Sequence, residues 1–432
     1  MTDPASADVP RLRVTTRAIE SIDDVLAYAD PDSPLYWMRR GDGIAGIGSA
    51  LTLRLNGSPA GERMPRAPRF AARWRELAAV ATVDDEVVLR GTGLVAFGAF
   101  AFDDRSPRPS VLVVPRVVVG RRAGRSWITR IELDDSASGD ARHGEPIPYG
   151  PYWSATLGPG AQGPAGYQDS VREALEAVAS HEVGKVVLAR DLVGTVPRGA
   201  DLRRLARALA IGYPDCWTYA VDGIIGASPE TLVTVSGGTV TARVLAGTAP
   251  RGADADADTA ASLALATSAK DQDEHLYAVQ SVLASLRPHT SALAASEQPF
   301  TLKLPNVFHL ATDVEGDLSD GASSLDLVGA LHPTAAVAGS PTAAAIEVIR
   351  RLEPFDRGRY AGPVGWVDGN GDGEWAIALR CAQFDVSEDS AGSGETIPVT
   401  AHAGAGIVAG SDPEAELLET RVKFRPIVDA LA

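Results

Sequence analysis

Residues 403–423 read AGAGIVAGSDPEAELLETRVK and join a glycine-rich segment to the expected start of a helix. Ser411 or Asp412 can accept hydrogen bonds from the first free amides of that helix. Pro413 suits the first helical position because proline has no amide to satisfy there. The stretch therefore predicts a glycine-rich approach that leads into a C-terminal helix.

The predicted helix carries two acids and a lysine on one face. Glu416, Glu419 and Lys423 follow one another at spacings of three and four residues. Upstream, Gly404 and Gly406 allow backbone amides to approach a bound anion without side-chain interference. Two acids would repel that anion unless a hard cation lay between them, and Mg²⁺ binds in this way through one or two protein carboxylates. Taken alone, the spacing also fits an ordinary solvated helix face.

The composition limits the classes of protein to which the chain can belong. The 432 residues include 40 basic and 56 acidic side chains, and the resulting charge of −16 argues against a nucleic-acid or anionic-membrane surface. Cys216 and Cys381 are too few for a disulfide scaffold. No secretory signal and no long apolar stretch is present. We expect a soluble, cytoplasmic protein that binds neither nucleic acid nor membrane.

The order of periodic segments predicts an α+β fold. Strand-like runs and amphipathic segments are mixed without a repeated βαβ unit, which favours a single large domain of mostly antiparallel sheets. The predicted strands are Val87–Arg90, Leu94–Phe102, Ser110–Val119, Lys185–Leu192, Leu232–Val235 and Thr239–Leu245, with a hairpin over Tyr219–Ile225. The predicted helices are Ala165–Ser180 and Asp201–Ile211, and the predicted loops are Asp134–Glu145, Ala253–Asp258 and Ser387–Glu395.

Two further positions are candidates for proton transfer. On a strand, Lys185 shares one face with Val187 and Ala189. An amine among such apolar groups loses hydration, which favours the neutral form that acts as a base. Glu230 follows a Ser-Pro turn, and a carboxyl group there could stay protonated and donate a proton to a leaving group. Alternatively, Lys185 is an edge-strand lysine that discourages aggregation, and Glu230 is an ordinary turn residue.

A charged segment opens another predicted helix. Residues 270–275 read KDQDEH, and Ser268 with Asp271 resembles a capping box. Glu274 lies in the first turns, where a carboxylate is compatible with the helix dipole. It is either a metal ligand or a surface acid.

The run Asp368-Gly-Asn-Gly-Asp-Gly373 imitates the opening of a calcium loop. Its twelfth position is Leu379 instead of glutamate, and its flanks have strand character. A glycine-rich hairpin turn is the better interpretation. The sequence also contains no nucleotide-binding P-loop, no HExxH zinc motif and no GxSxG motif.

Together, these segments resemble the chorismate-utilising enzymes, and most closely the isochorismate synthases. The match runs in order from about Tyr167 to Leu431, and residues 94–102, LVAFGAFAF, resemble the same enzymes more loosely. The resemblance is carried by KVVLAR, GASPE, LAGT, KDQDEH, NVFHL, LHPT, LEPFDRGRYAGPVGW, WAIALR and AGAGIV with ExxETxxK.

The resemblance implies a fold and an activity. The fold would be one continuous domain, a sandwich of antiparallel sheets with helices outside, in which residues 1–160 form the N-terminal portion and residues 161–432 the chorismate-binding catalytic core. The activity would be the Mg²⁺-dependent conversion of chorismate to isochorismate, in which water adds at C2 of the ring and the C4 hydroxyl leaves. Similar enzymes are often monomers, and we expect a monomer.

The same resemblance implies roles for individual residues. Lys185 would be the general base and Glu230 the general acid, while Glu274, Glu416 and Glu419 would hold Mg²⁺ directly or through water. The substrate-binding residues would be Gly247, Thr248, His309, Tyr360, Arg380, Gly404, Gly406 and Lys423.

Members of the family differ in the reaction they catalyse. Aminating members typically lack the lysine at the position of Lys185, and aminodeoxychorismate synthases usually carry a lysine where this chain has Ala246. Salicylate synthases, which form isochorismate and then eliminate pyruvate, share Lys185 and remain the alternative. Menaquinone and siderophore synthesis both begin with isochorismate. The sequence leaves this choice open, although the LEPFDRGRYAGPVGW block resembles the menaquinone members.

Overall fold

Alternating apolar residues build two large sheets, and amphipathic segments build the helices that cover them. The computed structural model describes residues 9–57, 64–134, 144–386 and 395–432. Within these ranges the strands are β1 (Leu12–Ile19), β2 (Leu35–Arg39), β3 (Asp42–Ile47), β4 (Leu51–Leu55), β5 (Thr82–Asp85), β6 (Val95–Ala99), β7 (Ser110–Val114), β8 (Val117–Arg122), β9 (Arg125–Leu133), β10 (Gly158–Pro159), β11 (Lys185–Pro197), β12 (Trp217–Val221), β13 (Ile224–Ser228), β14 (Thr231–Ser236), β15 (Thr239–Pro250), β16 (Thr290–Ala295), β17 (Phe300–Lys303), β18 (Val307–Leu318), β19 (Gly339–Ser340), β20 (Pro363–Asp368), β21 (Gly373–Ile377), β22 (Cys381–Phe384) and β23 (Thr396–Ile407). The helices are α1 (Arg66–Val80), α2 (Pro164–Ala179), α3 (Arg203–Gly212), α4 (Ala255–Thr267), α5 (Ala269–Leu286), α6 (Ser324–Leu331), α7 (Thr342–Leu352) and α8 (Pro413–Leu431).

The strands form two sheets, here called sheet A and sheet B. Sheet A has the order β10-β11-β23-β22-β13-β12-β2-β3-β8-β9-β1-β5, with β19 beside β11. Sheet B has the order β16-β18-β15-β14-β21-β20-β6-β7-β4, with β17 beside β18. In the described part of the chain β1 and β5 run parallel, and the remaining paired strands run antiparallel. This confirms the predicted α+β class with mostly antiparallel sheets.

Helices cover both sheets. Helices α2, α3, α7 and α8 contact strands of sheet A, while α4, α5 and α6 contact strands of sheet B and α1 packs on α6. The N-terminal portion supplies strands to both sheets, because β2 pairs with β12 and β6 pairs with β20. No helix in the described ranges combines the length and hydrophobicity that crossing a bilayer requires.

A buried polar network ties the two sheets together around Glu374, which lies on β21 and is almost fully buried. Its carboxylate accepts hydrogen bonds from the indole of Trp37 in sheet A at 2.8 Å and from the indole of Trp366 at 3.2 Å. The guanidinium groups of Arg90 and Arg122 approach its other oxygen at 3.1 and 3.3 Å. A buried carboxylate needs such partners because it leaves water on folding.

The structure confirms several local predictions. Asp412 caps α8 by accepting hydrogen bonds from the Glu414 and Ala415 amides, and Pro413 is the first helical residue. Ser268 caps α5. The calcium-like run is the turn of the β20–β21 hairpin, as expected.

Three local predictions were wrong. Val87–Arg90 is a turn, because Asp85 takes up the Val87 and Val88 amides that a strand would pair. Ser110–Val119 is divided into β7 and β8. Much of Ala253–Asp258 belongs to α4, which Asp254 caps. The predicted loops at 134–145 and 387–395 lie largely outside the described residues.

Replacing Glu374 with glutamine should lower the free energy of unfolding by about 2 kcal/mol, because Arg90 and Arg122 would lose their common counter-ion. Both arginines keep partial contact with water, which limits the loss. Chemical denaturation measures this. Glu76→Gln is the matched control, since Glu76 pairs with Arg73 on the surface and should change stability by at most about 0.5 kcal/mol. Equal unfolding midpoints for Glu374→Gln and the wild type would show that the network does not hold the sheets.

Candidate active site

A cavity lies where β11 and β23 of sheet A meet β15 and β18 of sheet B. It brings together residues that are far apart in the sequence. Ten of the predicted site residues line it, namely Glu230, Gly247, Thr248, Glu274, His309, Tyr360, Arg380, Gly404, Gly406 and Lys423. Lys185 and Glu419 are connected to this wall through ion pairs with Glu274 and Lys423, while Glu416 pairs with Lys270 outside the lining.

Glycines on β23 make room for the charged groups on β11. In the antiparallel pair, Val187 faces Gly406 and Ala189 faces Gly404, so the side chain of Lys185 emerges on the face of these two glycines. A Cβ atom at Gly406 would lie 2.2 Å from Oε1 of Glu274 and 3.1 Å from Cε of Lys185. Only glycine fits at this position while the lysine and the glutamate meet.

The free edge of β23 presents backbone amides. Strand β22 pairs with β23 only as far as Ala401. Beyond it, the carbonyl of Gly404 accepts a hydrogen bond from Nζ of Lys423 at 2.9 Å, so this residue points away from β11. In an antiparallel strand the N–H and C=O of one residue point to the same side, and residues two apart repeat that direction. The amides of Gly404 and Gly406 therefore face the open edge, as anion binding requires.

Lys185 is fully buried, on a strand that lies between β19 and β23. This excludes the alternative of an exposed edge-strand lysine. Its Nζ atom lies 3.2 Å from Oε1 of Glu274, an ion pair that falls short of hydrogen-bond geometry. Burial favours the protonated form of Glu274, but Lys185 and Lys423 outweigh it and lower its pKa below the ordinary value. Glu274 is therefore ionised. Its burial excludes the alternative of a surface acid.

Glu230 lies between β13 and β14, almost completely buried in the cavity wall. Burial raises its pKa to about 8, although the charge of Lys185 acts in the opposite direction. At neutral pH the carboxyl group therefore carries a proton. Its environment gives it the protonation state that a general acid needs.

Arg380 and His309 form a cationic corner of the cavity. Nδ1 of His309 lies 3.3 Å from the carbonyl of Gly247 and 3.1 Å from the Thr248 hydroxyl. Burial and the nearby Arg380 charge hold the pKa of His309 well below its ordinary value. The neutral ring therefore donates from Nδ1 to the carbonyl and accepts from Arg380 at Nε2, at 3.2 Å. Arg380 has no salt bridge to a carboxylate of the described ranges, so its charge is available to an anionic ligand.

Two aromatic rings form another wall. Tyr360 stacks on His402, with ring centroids 5.2 Å apart and planes inclined by 23°. Burial raises the pKa of the Tyr360 hydroxyl and lowers that of His402 to about 4. Both rings are thus neutral. His402 was not among the predicted site residues, although it directly precedes the AGAG run.

The side chains of Glu274, Glu416 and Glu419, here called the acidic cluster, each face a lysine. Lys270 Nζ lies 2.6 Å from Glu416, and Lys423 Nζ lies 2.5 Å from Glu419. Burial and the neighbouring Glu419 charge raise the pKa of Glu416 to about 6. Burial lowers the pKa of Lys270, but all three members of the acidic cluster outweigh it and raise that pKa above its ordinary value.

The acidic cluster is not arranged as a metal site in this structure. Among the described residues no three Asp, Glu, His or Cys side chains lie close enough together to bind one metal ion. However, Glu416 contacts the ammonium group of Lys270 at 2.6 Å, and the charges of Glu419 and Glu274 act on that group without contact. Carboxylate oxygens are hard donors, so these three residues fit Mg²⁺ in their chemistry.

Sequence reasoning missed the pair that supports the outer edge of β11. Arg357 donates to the carbonyls of Val187 and Val337 at 2.7 and 2.9 Å, and Glu353 accepts from the Ala189 amide at 2.7 Å. The two side chains also pair with each other, at 2.6 Å. They replace a neighbouring strand just after Lys185. The spacing of four residues between Glu353 and Arg357 is visible in the sequence, but such a spacing ordinarily indicates an ion pair on the surface of a helix.

Comparisons with known proteins identify the family and the fold. A family model described as "Chorismate binding enzyme" matches residues 154–432. The isochorismate synthase DhbC of Bacillus subtilis is 37% identical, over 77% of this chain and 80% of its own. The salicylate biosynthesis isochorismate synthase of Pseudomonas aeruginosa is 32% identical, over 98% and 91%. The structure of MenF, the menaquinone-specific isochorismate synthase from Escherichia coli, superposes with a TM-score of 0.76 at 26% identity, over 99% and 97% of the two chains.

The Gly406→Ala variant should have a free energy of unfolding about 2 kcal/mol lower than that of the wild type, because the added methyl group would displace the buried Glu274 carboxylate. Chemical denaturation measures this difference. Gly158→Ala is the matched control, since no atom lies within 4 Å of a Cβ atom placed there. If both variants match the wild type, the close packing at Gly406 is not a constraint on the site.

Proposed function

Because the chain belongs to the chorismate-binding enzymes, we propose that it is an isochorismate synthase that adds water at C2 of chorismate while the C4 hydroxyl leaves. The observations that carry this proposal are a protonated glutamate in the cavity wall and a buried lysine that pairs with Glu274 of the same wall. In its neutral form, the amine of Lys185 takes a proton from the attacking water, and Glu230 gives a proton to the departing hydroxyl, which leaves as water. A proton then passes from Lys185 to Glu230 through solvent, which restores both groups. One water enters and one leaves, so the reaction is an isomerisation.

The substrate carries two carboxylates, and the cavity offers positive groups for both. Arg380 has no carboxylate partner among the described residues, and a planar guanidinium can bind a carboxylate through two hydrogen bonds. Lys423, the hydroxyl of Tyr360 and the amides of Gly404 and Gly406 complete the anion-binding groups. These local charges allow an acidic protein to bind a dianion.

Glu274, Glu416 and Glu419 would hold Mg²⁺, directly or through water. The ion would supply positive charge to neutralise the ring carboxylate of the substrate and hold it in place. The protein side chains orient the ring between Lys185 and Glu230. We also propose that the enzyme acts as a cytoplasmic monomer and that residues 161–432 form its catalytic core.

The alternative is a salicylate synthase, which would also eliminate pyruvate. The run RVLAGT, residues 243–248, resembles the isochorismate synthases more than the PIAGT expected of salicylate and anthranilate makers. The matched proteins include one named for salicylate biosynthesis and one titled menaquinone-specific. We propose that the product feeds menaquinone or siderophore synthesis, and iron-regulated expression would distinguish the two.

Product analysis tests this function. Purified protein incubated with chorismate and Mg²⁺ should form isochorismate alone, and Lys185→Ala should abolish turnover while leaving the circular dichroism spectrum unchanged. Lys303→Ala is the matched control, because that lysine lies on the surface and should leave the rate unchanged. Salicylate with pyruvate would select the alternative. A near-normal rate in Lys185→Ala would contradict the mechanism.

The pH dependence tests the general acid. Glu230 is active in its protonated form, so kcat/KM, which reports the free enzyme, should fall as pH rises through about 8. The Glu230→Gln variant keeps the shape of the side chain but cannot supply the proton, and it should lack measurable turnover at every pH. Full activity in Glu230→Gln, or a fall of its kcat/KM near pH 8 like that of the wild type, would show that another group donates the proton.

A further inference from the structure

Lysine is rare in this chain, and most of its lysines pair with the acidic cluster. Of its 40 basic residues, four are lysines and the others are arginines. Three of these four, Lys185, Lys270 and Lys423, pair with the members of the acidic cluster, while Lys303 pairs with Asp258 on the surface. Lysine differs from arginine in carrying a compact charge on a flexible stem. The cluster is therefore matched to small, movable cations.

The three lysines of the cluster differ in their freedom to move. The side chain of Lys185 is 0% exposed and that of Lys423 is 16% exposed, and Lys423 also donates to the carbonyl of Gly404. The side chain of Lys270 is 33% exposed, and its single hydrogen bond among the described residues goes to Glu416. Lys270 lies at the second residue of α5, so its stem can swing into solvent without disturbing the helix.

Electrostatics prevents Lys270 and a divalent cation from occupying the cluster together. Glu416 is 1% exposed, and its contact with Lys270 is short, at 2.6 Å. A divalent ion bound to the same carboxylate would place two cations next to each other in a region with little water, where repulsion is strong. Without either cation, the buried Glu416 and the partly exposed Glu419 would repel each other, and Lys423 would balance only one of the two charges.

We propose that Lys270 is a built-in counter-ion that neutralises the acidic cluster in the metal-free protein and moves into solvent when a divalent cation binds. This inference rests on the proposed function for the identity of the ion as Mg²⁺. Lys270 keeps the cavity folded and charge-balanced before the metal arrives, and it lowers metal affinity because its ion pair must break. The lysine is a competitor of the metal and not one of its ligands.

Metal binding without substrate tests the proposal. Isothermal titration of the full-length protein with MgCl₂ should show that Lys270→Met, which keeps the length of the stem, binds Mg²⁺ about tenfold more tightly than the wild type, because one partly buried ion pair no longer has to break. Without metal, Lys270→Met should melt at a lower temperature than the wild type, and excess Mg²⁺ should restore its Tm.

Two variants serve as controls. Lys270→Arg keeps the charge, and it should show no gain in Mg²⁺ affinity. Lys303→Met removes an exposed lysine remote from the cluster, and its Mg²⁺ affinity and metal-free Tm should equal those of the wild type.

The outcomes separate this proposal from the proposed function. Unchanged or weaker Mg²⁺ binding by a folded Lys270→Met protein would overturn the counter-ion role and make Lys270 a support for the ligands. Absence of Mg²⁺ binding in both proteins would overturn it as well. Neither result depends on chorismate, so product formation by the wild type is decided independently.

Discussion

The pairing of β11 with β23 is the interaction on which the site depends. Its register places Val187 and Ala189 opposite Gly406 and Gly404, so β23 adds no side chain to this face at those two positions. The buried amine of Lys185 and the carboxylate of Glu274 meet in that space. Because strand register is exact to the residue, a shift by one position would turn Lys185 to the other face of sheet A.

Charge balance is the second constraint, since the cavity buries several ionisable groups. Burial alone makes every such group favour its neutral form. The protein uses that tendency at Glu230 and His309 and overcomes it at Glu274, where lysines keep the carboxylate charged. One cavity therefore contains an acid that holds its proton and a carboxylate that does not. The difference arises from neighbouring groups and not from the type of residue.

Local structure was largely predictable from the sequence. The start of α8 follows from Asp412 and Pro413, and the β20–β21 turn follows from its glycines, because caps and turns depend on residues a few positions apart. Two of the three errors also arise from local side-chain contacts. At Asp85 and Asp254 a side chain takes over backbone amides, and the sequence pattern around them suggested a strand and a loop.

The sequence by itself determined the α+β class and the chemistry that the residue types offer, because periodicity and residue type encode both. Its resemblance to the chorismate-utilising enzymes indicated ten of the residues that line the cavity. Only the tertiary structure decided that Lys270 faces the acidic cluster and that Glu353 and Arg357 complete the edge of β11. It also decided which carboxyl group stays protonated. These properties depend on distances between segments up to hundreds of residues apart and on the loss of water around them. A local sequence pattern determines neither these distances nor this loss of water.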